Sequence, residues 1–263
     1  MPEQFERILF EKDGRIALIT INRPDRLNAI DAQTSYELNH AFTAFRDDDA
    51  LWVAILTGAG DRAFSTGNDL VAMAEAMAGK GSGGDFRAPF GGITRNFECW
   101  KPIIAAINGY CLAGGLEISL CCDIRIAAEH AQFGVPEVTR AIIPAAGGTQ
   151  RLLRMLPRGI ALEMLVTGAR FDAEWALRHG LVNYVVPAAE VLPKARALAA
   201  AICENGPLAV RAAKESALRG IELSLEDGLR QELEFSRGVL GSEDAREGPL
   251  AFAQKRKPEY KGR

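Results

Sequence analysis

The sequence predicts an α/β protein that ends in a helical region. Two observations carry this. Apolar runs rich in β-branched residues, each closed by Gly, Pro or Asn, alternate with helical patterns as far as about residue 187. Beyond that point three amphipathic segments follow one another with no strand pattern between them. At 263 residues, 48% hydrophobic and 25% charged, the chain can bury a substantial core, in one large domain or in one domain with a small appendage.

In chain order, RIALITINRP (15–24) reads as the first strand. DAQTSYELNHAFTAFRDD follows as an amphipathic helix, with Asp31 as its N-cap and Leu38, Phe42 and Phe45 on one face. LWVAILTGAG (51–60) and KPIIAAINGY (101–110) are strands, and IRIAA and LVNYVVP are shorter ones. LVAMAEAMA is helical, and residues 79–92 are rich in Gly and read as a mobile segment. PKARALAAAICENG, PLAVRAAKESALRG and SLEDGLRQELEFSRGVL supply the terminal helices, whose apolar stripes suit packing on the core or on another subunit.

Composition excludes several function classes. A net charge of -3 and a pI near 5.8 leave no electrostatic footprint for nucleic acid. The short basic run at 255–257 reads as a solvated helix end or as a functional patch. Cys99, Cys111, Cys121, Cys122 and Cys203 are odd in number and form no CxxC, so small buried hydrophobes in a reducing compartment are expected. His40, His130 and His179 lie at no metal-ligand spacing, and no GxSxG elbow supplies a nucleophile. The N-terminal stretch contains acids and no apolar run of secretory length, which makes a cytoplasmic enzyme the expectation.

Two strand ends carry candidate chemistry. Gly58, Gly60 and Ala63 form a GxGxxA pattern after a strand, but FSTGN, a second turn, intervenes where a dinucleotide-binding helix should begin. The second strand end, IIAAINGYCLAGGLEISLCCD, turns at Asn108 and Gly109 and starts a helix near Gly114 and Gly115, with Glu117 in the first turn. On an exposed helix Glu117 would merely complement the helix dipole. Its neighbours Leu116, Ile118 and Leu120 argue for burial, and a buried carboxylate must be paired, protonated or used. Glu137, in AQFGVPEVTRAIIPAAGGTQRLL, is a second acid in an apolar setting, followed by another glycine-led helix start. Two such carboxylates can serve as an acid/base pair.

Over essentially its whole length the chain resembles the enoyl-CoA hydratase/isomerase family, the crotonases. The resemblance rests on NRPDRLNAI, LTGAGDRAFSTGNDL, KPIIAAINGYCLAGGLEISLCCDIRIAAEHAQFGVPE, IPAAGGTQRL, TGARFDAEWALRHGLVNYVVP and EGPLAFAQKRKPEYKG, in that order. It implies a crotonase (ClpP-like) spiral of ββα units over residues 1–200 and a helical trimerisation region over 201–263, the trimers commonly stacked as hexamers. It also implies an oxyanion hole built from the backbone N–H groups of Asn68 and Gly114, with Glu117 and Glu137 as the two acids. Coenzyme A would enter as part of the substrate, with no separate cofactor and no metal. It would lie near Arg26, Leu27, Thr66, Asp69 and Leu70, with Phe252 and Lys255 at the adenosine end, from the same or a neighbouring subunit.

The implied activity is hydration of trans-2-enoyl-CoA thioesters. Alternatives are a double-bond isomerase, which generally lacks the acid at position 117, and a non-catalytic acyl-CoA-binding member. NAIDAQTSYE and SEDAREGPLAFAQKRKPEYKGR also resemble carnitinyl-CoA dehydratases. Against the family pattern, Asn68 stands where Ala is common and Val71 where Lys is common. Ala113 and Ala145 stand where Gly is frequent. These departures bear on substrate range and CoA affinity, since no acid or backbone donor is lost.

Overall fold

The computed structural model describes residues 5–80 and 87–263. Its first half builds two sheets. Strands β1 (Ile8–Asp13) and β2 (Ile16–Ile21) form a hairpin, followed by helix α1 (Ala32–Asp47) and strands β3 (Val53–Gly58) and β4 (Ala63–Ser65). Helix α2 (Leu70–Met77), strands β5 (Ile103–Ile107) and β6 (Tyr110–Leu112), helix α3 (Gly114–Ser119) and strands β7 (Ile124–Ala128) and β8 (Gln132–Gly134) come next. The larger sheet runs β1-β2-β3-β5-β7 and is parallel from β2 onward. The smaller aligns β4, β6 and β8 in parallel. Each pass of the chain, β3 to β4, β5 to β6 and β7 to β8, thus lays one strand in each sheet before turning. That repetition is the expected spiral.

The second half closes the layers. Helices α4 (Gly148–Met155) and α5 (Arg158–Thr167) lead to β9 (Phe171–Asp172), which extends the smaller sheet antiparallel to β8. Helix α6 (Ala173–Arg178) leads to β10 (Tyr184–Val186), parallel to β7 on the edge of the larger sheet. Helix α7 (Val191–Cys203) packs across β3, β5 and β7. Then α8 (Pro207–Gly220) and α9 (Leu225–Leu240) pack on each other, Gly220 and Gly228 allowing a close approach, and α10 (Glu243–Ala253) follows.

Local chemistry explains the main elements. Asp31 caps α1 by accepting the Thr34 amide at 2.7 Å, as expected, and Leu38, Phe42 and Phe45 are fully buried against the sheet. The all-apolar strands β3 and β5 are buried on both faces, the signature of parallel strands between covering layers. Buried Asp244 takes the amides of Lys261 and Gly262 at 2.7 and 2.8 Å and folds the C-terminal segment back. Six residues of the Gly-rich stretch 79–92 read as mobile, 81–86, lie outside the described residues. Its last part is a defined turn, with Gly91 and Gly92 buried against Ile118 and the backbone of α1.

The GxGxxA pattern opens no helix. A side chain on Gly58 would strike the carbonyls of Ala63 and Phe64, because the chain passes straight into β4. Gly58 thus serves strand packing, and Gly60, at φ +79°, serves the turn after β3.

Candidate active site

Glu117 sits in the first turn of α3 and is 2% exposed. Its Oε1 accepts the Gly148 amide, at the start of α4, at 2.7 Å. Burial pushes its pKa above the ordinary range. The amides of Gly148 and Ala146 and the charges of Arg151 and Arg95 oppose that rise by favouring the carboxylate. A Cβ on Gly148 would stand 3.0 Å from Glu117 Oε1 and 3.0 Å from Pro144 Cβ, so a side chain there would push its neighbours by a few tenths of an ångström.

Glu137 lies on the helical turn Pro136–Arg140 after β8 and is 8% exposed. Its Oε2 is buried and has no partner among the described residues. Burial pushes its pKa to about 7. Its own amide and Arg140 lower the pKa and the Glu117 charge raises it. The two acids are therefore unlike. Glu117 is held by fixed donors that suit a carboxylate, whereas Glu137 retains its proton up to near-neutral pH and has one oxygen uncommitted.

The expected oxyanion donors are brought together by packing. Ile30 bridges to Asn68, its N–H donating to the Gly67 carbonyl at 2.8 Å while its carbonyl accepts the Asp69 amide at 2.9 Å. Gly67, at φ +83°, presses on the start of α3 so closely that a Cβ there would lie 2.6 Å from the Gly114 nitrogen. Gly114 is covered by the Phe90 ring and Gly115 abuts the Ser65 carbonyl. Among the described residues, the Asn68 and Gly114 amides donate to no backbone carbonyl. Residue 113, at the entry to α3, has φ +51° and ψ -131°, a glycine-favoured conformation occupied here by alanine.

These pieces share one cavity of about 750 Å³. Asn68, Gly114, Glu117 and Glu137 line it, with Thr66 and Leu70 on the side of β4 and α2. Leu27, at φ +51°, touches that side through its carbonyl, which accepts the Thr66 amide and hydroxyl at 3.2 and 3.3 Å. Arg26 is exposed on the adjoining turn Pro24–Arg26.

Asp69 is otherwise engaged. Its carboxylate caps α2 through the Val71 and Ala72 amides and pairs with Arg23 at 2.8 Å, so it braces the turn that carries Asn68. Phe252, 86% exposed, and Lys255 stand at the end of α10, off the cavity wall. Sequence reasoning missed Gly148 as the donor to Glu117, although the glycine-led helix start at GGT marked the place. It also missed Phe90, Arg95, Arg140 and Ile143 on the cavity wall.

Two adjacent backbone donors can hold a carbonyl oxygen as it gains negative charge, and two carboxyls of unlike affinity for protons can take one and give one. The family description enoyl-CoA hydratase/isomerase matches residues 11–263. The chain belongs to the enoyl-CoA hydratase/isomerase family. Members of this crotonase family act on acyl-CoA thioesters.

Among its relatives, a carnitinyl-CoA dehydratase of Salmonella arizonae is 47% identical over 264 residues, 98% of this chain and 99% of that protein. One from Proteus mirabilis is 48% identical over 255 residues, 95% and 96% of the two chains. Of solved structures, an enoyl-CoA hydratase from Mycobacterium tuberculosis superposes with a TM-score of 0.90 at 39% identity, covering 98% of this chain and 99% of that one. One from Bacillus anthracis gives 0.86 at 38% identity, covering 98% and 100%. The crotonase fold expected from sequence is the fold observed.

Proposed function

We propose that this protein is a hydro-lyase that adds water reversibly, in the syn sense, to the double bond of trans-2-enoyl-CoA thioesters. The observation that carries the reading is the convergence of two free amides and two unlike carboxyls on one cavity. The thioester oxygen takes the Asn68 and Gly114 N–H groups, which makes C3 electrophilic. Each donor contributes roughly 3 kcal/mol as charge develops on that oxygen. The Glu117 carboxylate accepts a proton from water as the water oxygen bonds to C3. The Glu137 carboxyl gives its proton to C2. One proton is taken and one given, and the pair is reset when a proton passes from Glu117 back to Glu137.

Coenzyme A is part of the substrate, and the chemistry calls on no further cofactor or metal. The nucleotide end is assigned to the Arg26–Leu27 turn and to Phe252 and Lys255, the latter pair reaching it from a neighbouring subunit. Exposed Leu218, Ile221, Leu225, Leu229 and Leu233 on and between α8 and α9 support a trimer, alone or stacked as a hexamer. Light scattering that returned a monomer at micromolar concentration would remove that assignment. No described helix is long and apolar enough to cross a membrane, and the reading places the enzyme in the cytoplasm.

A second reading, a carnitinyl-CoA-type dehydratase, is favoured by the 47% and 48% identities to proteins of that name. It uses the same acids and donors. An isomerase is less well supported because Glu117 is present and held. The test is hydration of crotonyl-CoA, followed by loss of the conjugated thioester absorbance, with wild type, Glu117→Gln and Glu137→Gln. Each variant is expected to lose about 100-fold or more in turnover. Wild-type rates in either would overturn the two-acid reading, and binding without turnover in the wild type would leave a non-catalytic acyl-CoA-binding protein.

A further inference from the structure

The cavity wall carries charge that the hydration step does not use. Among the described residues lining it are three guanidinium groups, Arg95, Arg140 and Arg170, and two carboxyls, Glu117 and Glu137. The arginines come from three separate segments, so one exposed helix face does not account for them.

Arg95 is anchored. Its Nη2 donates to the Ala145 carbonyl at 2.6 Å, on the segment that leads to Gly148 and hence to the cradle of Glu117. Arg140 ends the turn that carries Glu137. Glu117 feels the charges of Arg151 and then Arg95, and Glu137 feels that of Arg140. Arg151 differs, since its guanidinium donates to the carbonyls of Ala146 and Thr94 and is absent from the lining.

The direction of the acyl chain follows from the hydration reading, on which this inference rests. With the thioester oxygen at Asn68 and Gly114, C2 and C3 lie between the acids. C4 and later atoms then extend past them into the rest of the cavity, whose described lining includes Thr94, Arg95, Arg140 and Ile143. A guanidinium close to that path opposes a cationic tail and attracts an anionic one, by roughly tenfold per charge in a partly hydrated cavity. Three guanidinium groups against two carboxyls leave the lining net positive among the described residues, whether or not Glu137 carries its proton.

We propose that Arg95 and Arg140 set the acyl specificity of this site, admitting chains that are neutral or end in a carboxylate and discriminating against chains that end in a quaternary ammonium. The site thereby differs in charge preference from what the name carnitinyl-CoA dehydratase implies for its relatives.

The experiment compares kcat/KM for two thioesters of similar length, glutaconyl-CoA, with a carboxylate beyond C3, and crotonobetainyl-CoA, with a trimethylammonium there. The expected wild-type ratio favours glutaconyl-CoA by about 10-fold or more. Arg95→Gln and Arg140→Gln should each lower the ratio by roughly 10-fold, Arg95→Glu should lower it further, and Arg95→Lys should keep most of it. Because the readout is a ratio, a general loss of folded enzyme cancels.

Wild-type preference for crotonobetainyl-CoA, or a ratio unmoved by Arg95→Glu, overturns the proposal. The anion could instead be a phosphate of coenzyme A, and the same pair of acyl groups on pantetheine separates the two sources. An unchanged dependence on Arg95 upholds acyl selection, and its disappearance overturns it. If neither thioester turns over, competition by the saturated analogues glutaryl-CoA and γ-butyrobetainyl-CoA still reads the charge preference. Tighter glutaryl-CoA binding then upholds this inference while the hydratase reading falls.

Discussion

Replacing Glu137 by glutamine should make the protein less active and, at alkaline pH, more stable. The carboxyl ionises near the ordinary carboxylate value of 4.5 in the unfolded chain and at about 7 in the folded one. Between those values the native state holds a proton that the unfolded state has lost, so stability falls as pH rises and levels off above about 7. At about 1.4 kcal/mol per pH unit the separation amounts to roughly 3 kcal/mol. Solvent in the open cavity screens this to about 1 to 2 kcal/mol. Glutamine is neutral at every pH and escapes that penalty. Thermal melts should therefore show Glu137→Gln melting with wild type at pH 5 and about 3 to 6 °C higher at pH 8. Over the same range, wild-type kcat/KM for hydration should decline above pH 7 as the proton donor is lost, and the variant's residual activity should lack that decline. A melting difference independent of pH, or a decline that persists in the variant, would refute the assignment of the near-neutral carboxyl to Glu137.

Three further outcomes are expected. Gly148→Ala places a methyl 3.0 Å from Glu117 Oε1 and should lower kcat about 10-fold by displacing the carboxylate a few tenths of an ångström, with the melting temperature nearly unchanged; steady-state kinetics beside a thermal melt check this, and an unchanged kcat would show that the contact does not position Glu117. Ala113→Gly relieves a side chain at φ +51° and should stabilise the protein by about 1 kcal/mol, read as a rise of roughly 2 to 4 °C in Tm; a lower Tm would mean that the backbone strain is illusory. Lys255→Ala should raise KM for crotonyl-CoA about 3- to 10-fold and leave KM for crotonyl-pantetheine in place, because an ammonium can act on the nucleotide phosphates only when they are present; equal changes for both would point to folding or assembly.

Strands β2, β3, β5 and β7 of the larger sheet were legible because they are almost wholly buried and announce themselves as apolar runs, whereas β1, mostly exposed on the sheet edge, carried no such run and was not read. The smaller sheet was not legible. Ala63–Ser65, Tyr110–Leu112 and Gln132–Gly134 have three residues each, too few to display a period, and they adjoin glycines and turns. FSTGN accordingly reads as a turn, although its first two residues close β4 and only Gly67 and Asn68 make the bend. Glu117 and Glu137 were readable because an acid among apolar neighbours is itself a signal. The donor to Glu117 and the arginines of the cavity wall were not, since Gly148 is 31 positions away and the path of an acyl chain is set by tertiary packing. Asp69 shows two local rules in competition. It falls in a motif associated with CoA binding, yet an Asp just before an apolar helical run is also an N-cap, and its side chain caps α2.

The two glutamates begin as the same functional group and are made different by what surrounds them. Burial alone would raise both pKa values together and leave neither suited to its task. The amides of Gly148 and Ala146 offset part of what burial removes from Glu117, and the bare glycines at 148, 115 and 67 let α3, α4 and the Gly67–Asn68 turn approach closely enough to do so. Glu137 receives no such help beyond its own amide and Arg140, and the charge that Glu117 is enabled to carry pushes its pKa up further. A charged Glu117 thus adds to burial, the larger cause, in keeping Glu137 protonated, as the proposed base and acid roles require. A buried oxygen without a partner ordinarily costs about 1 to 3 kcal/mol, and Glu137 Oε2 is such an atom. Supplying it with an internal donor would stabilise the fold and, by the same stroke, lower the pKa and remove the proton that the proposed hydration delivers to C2.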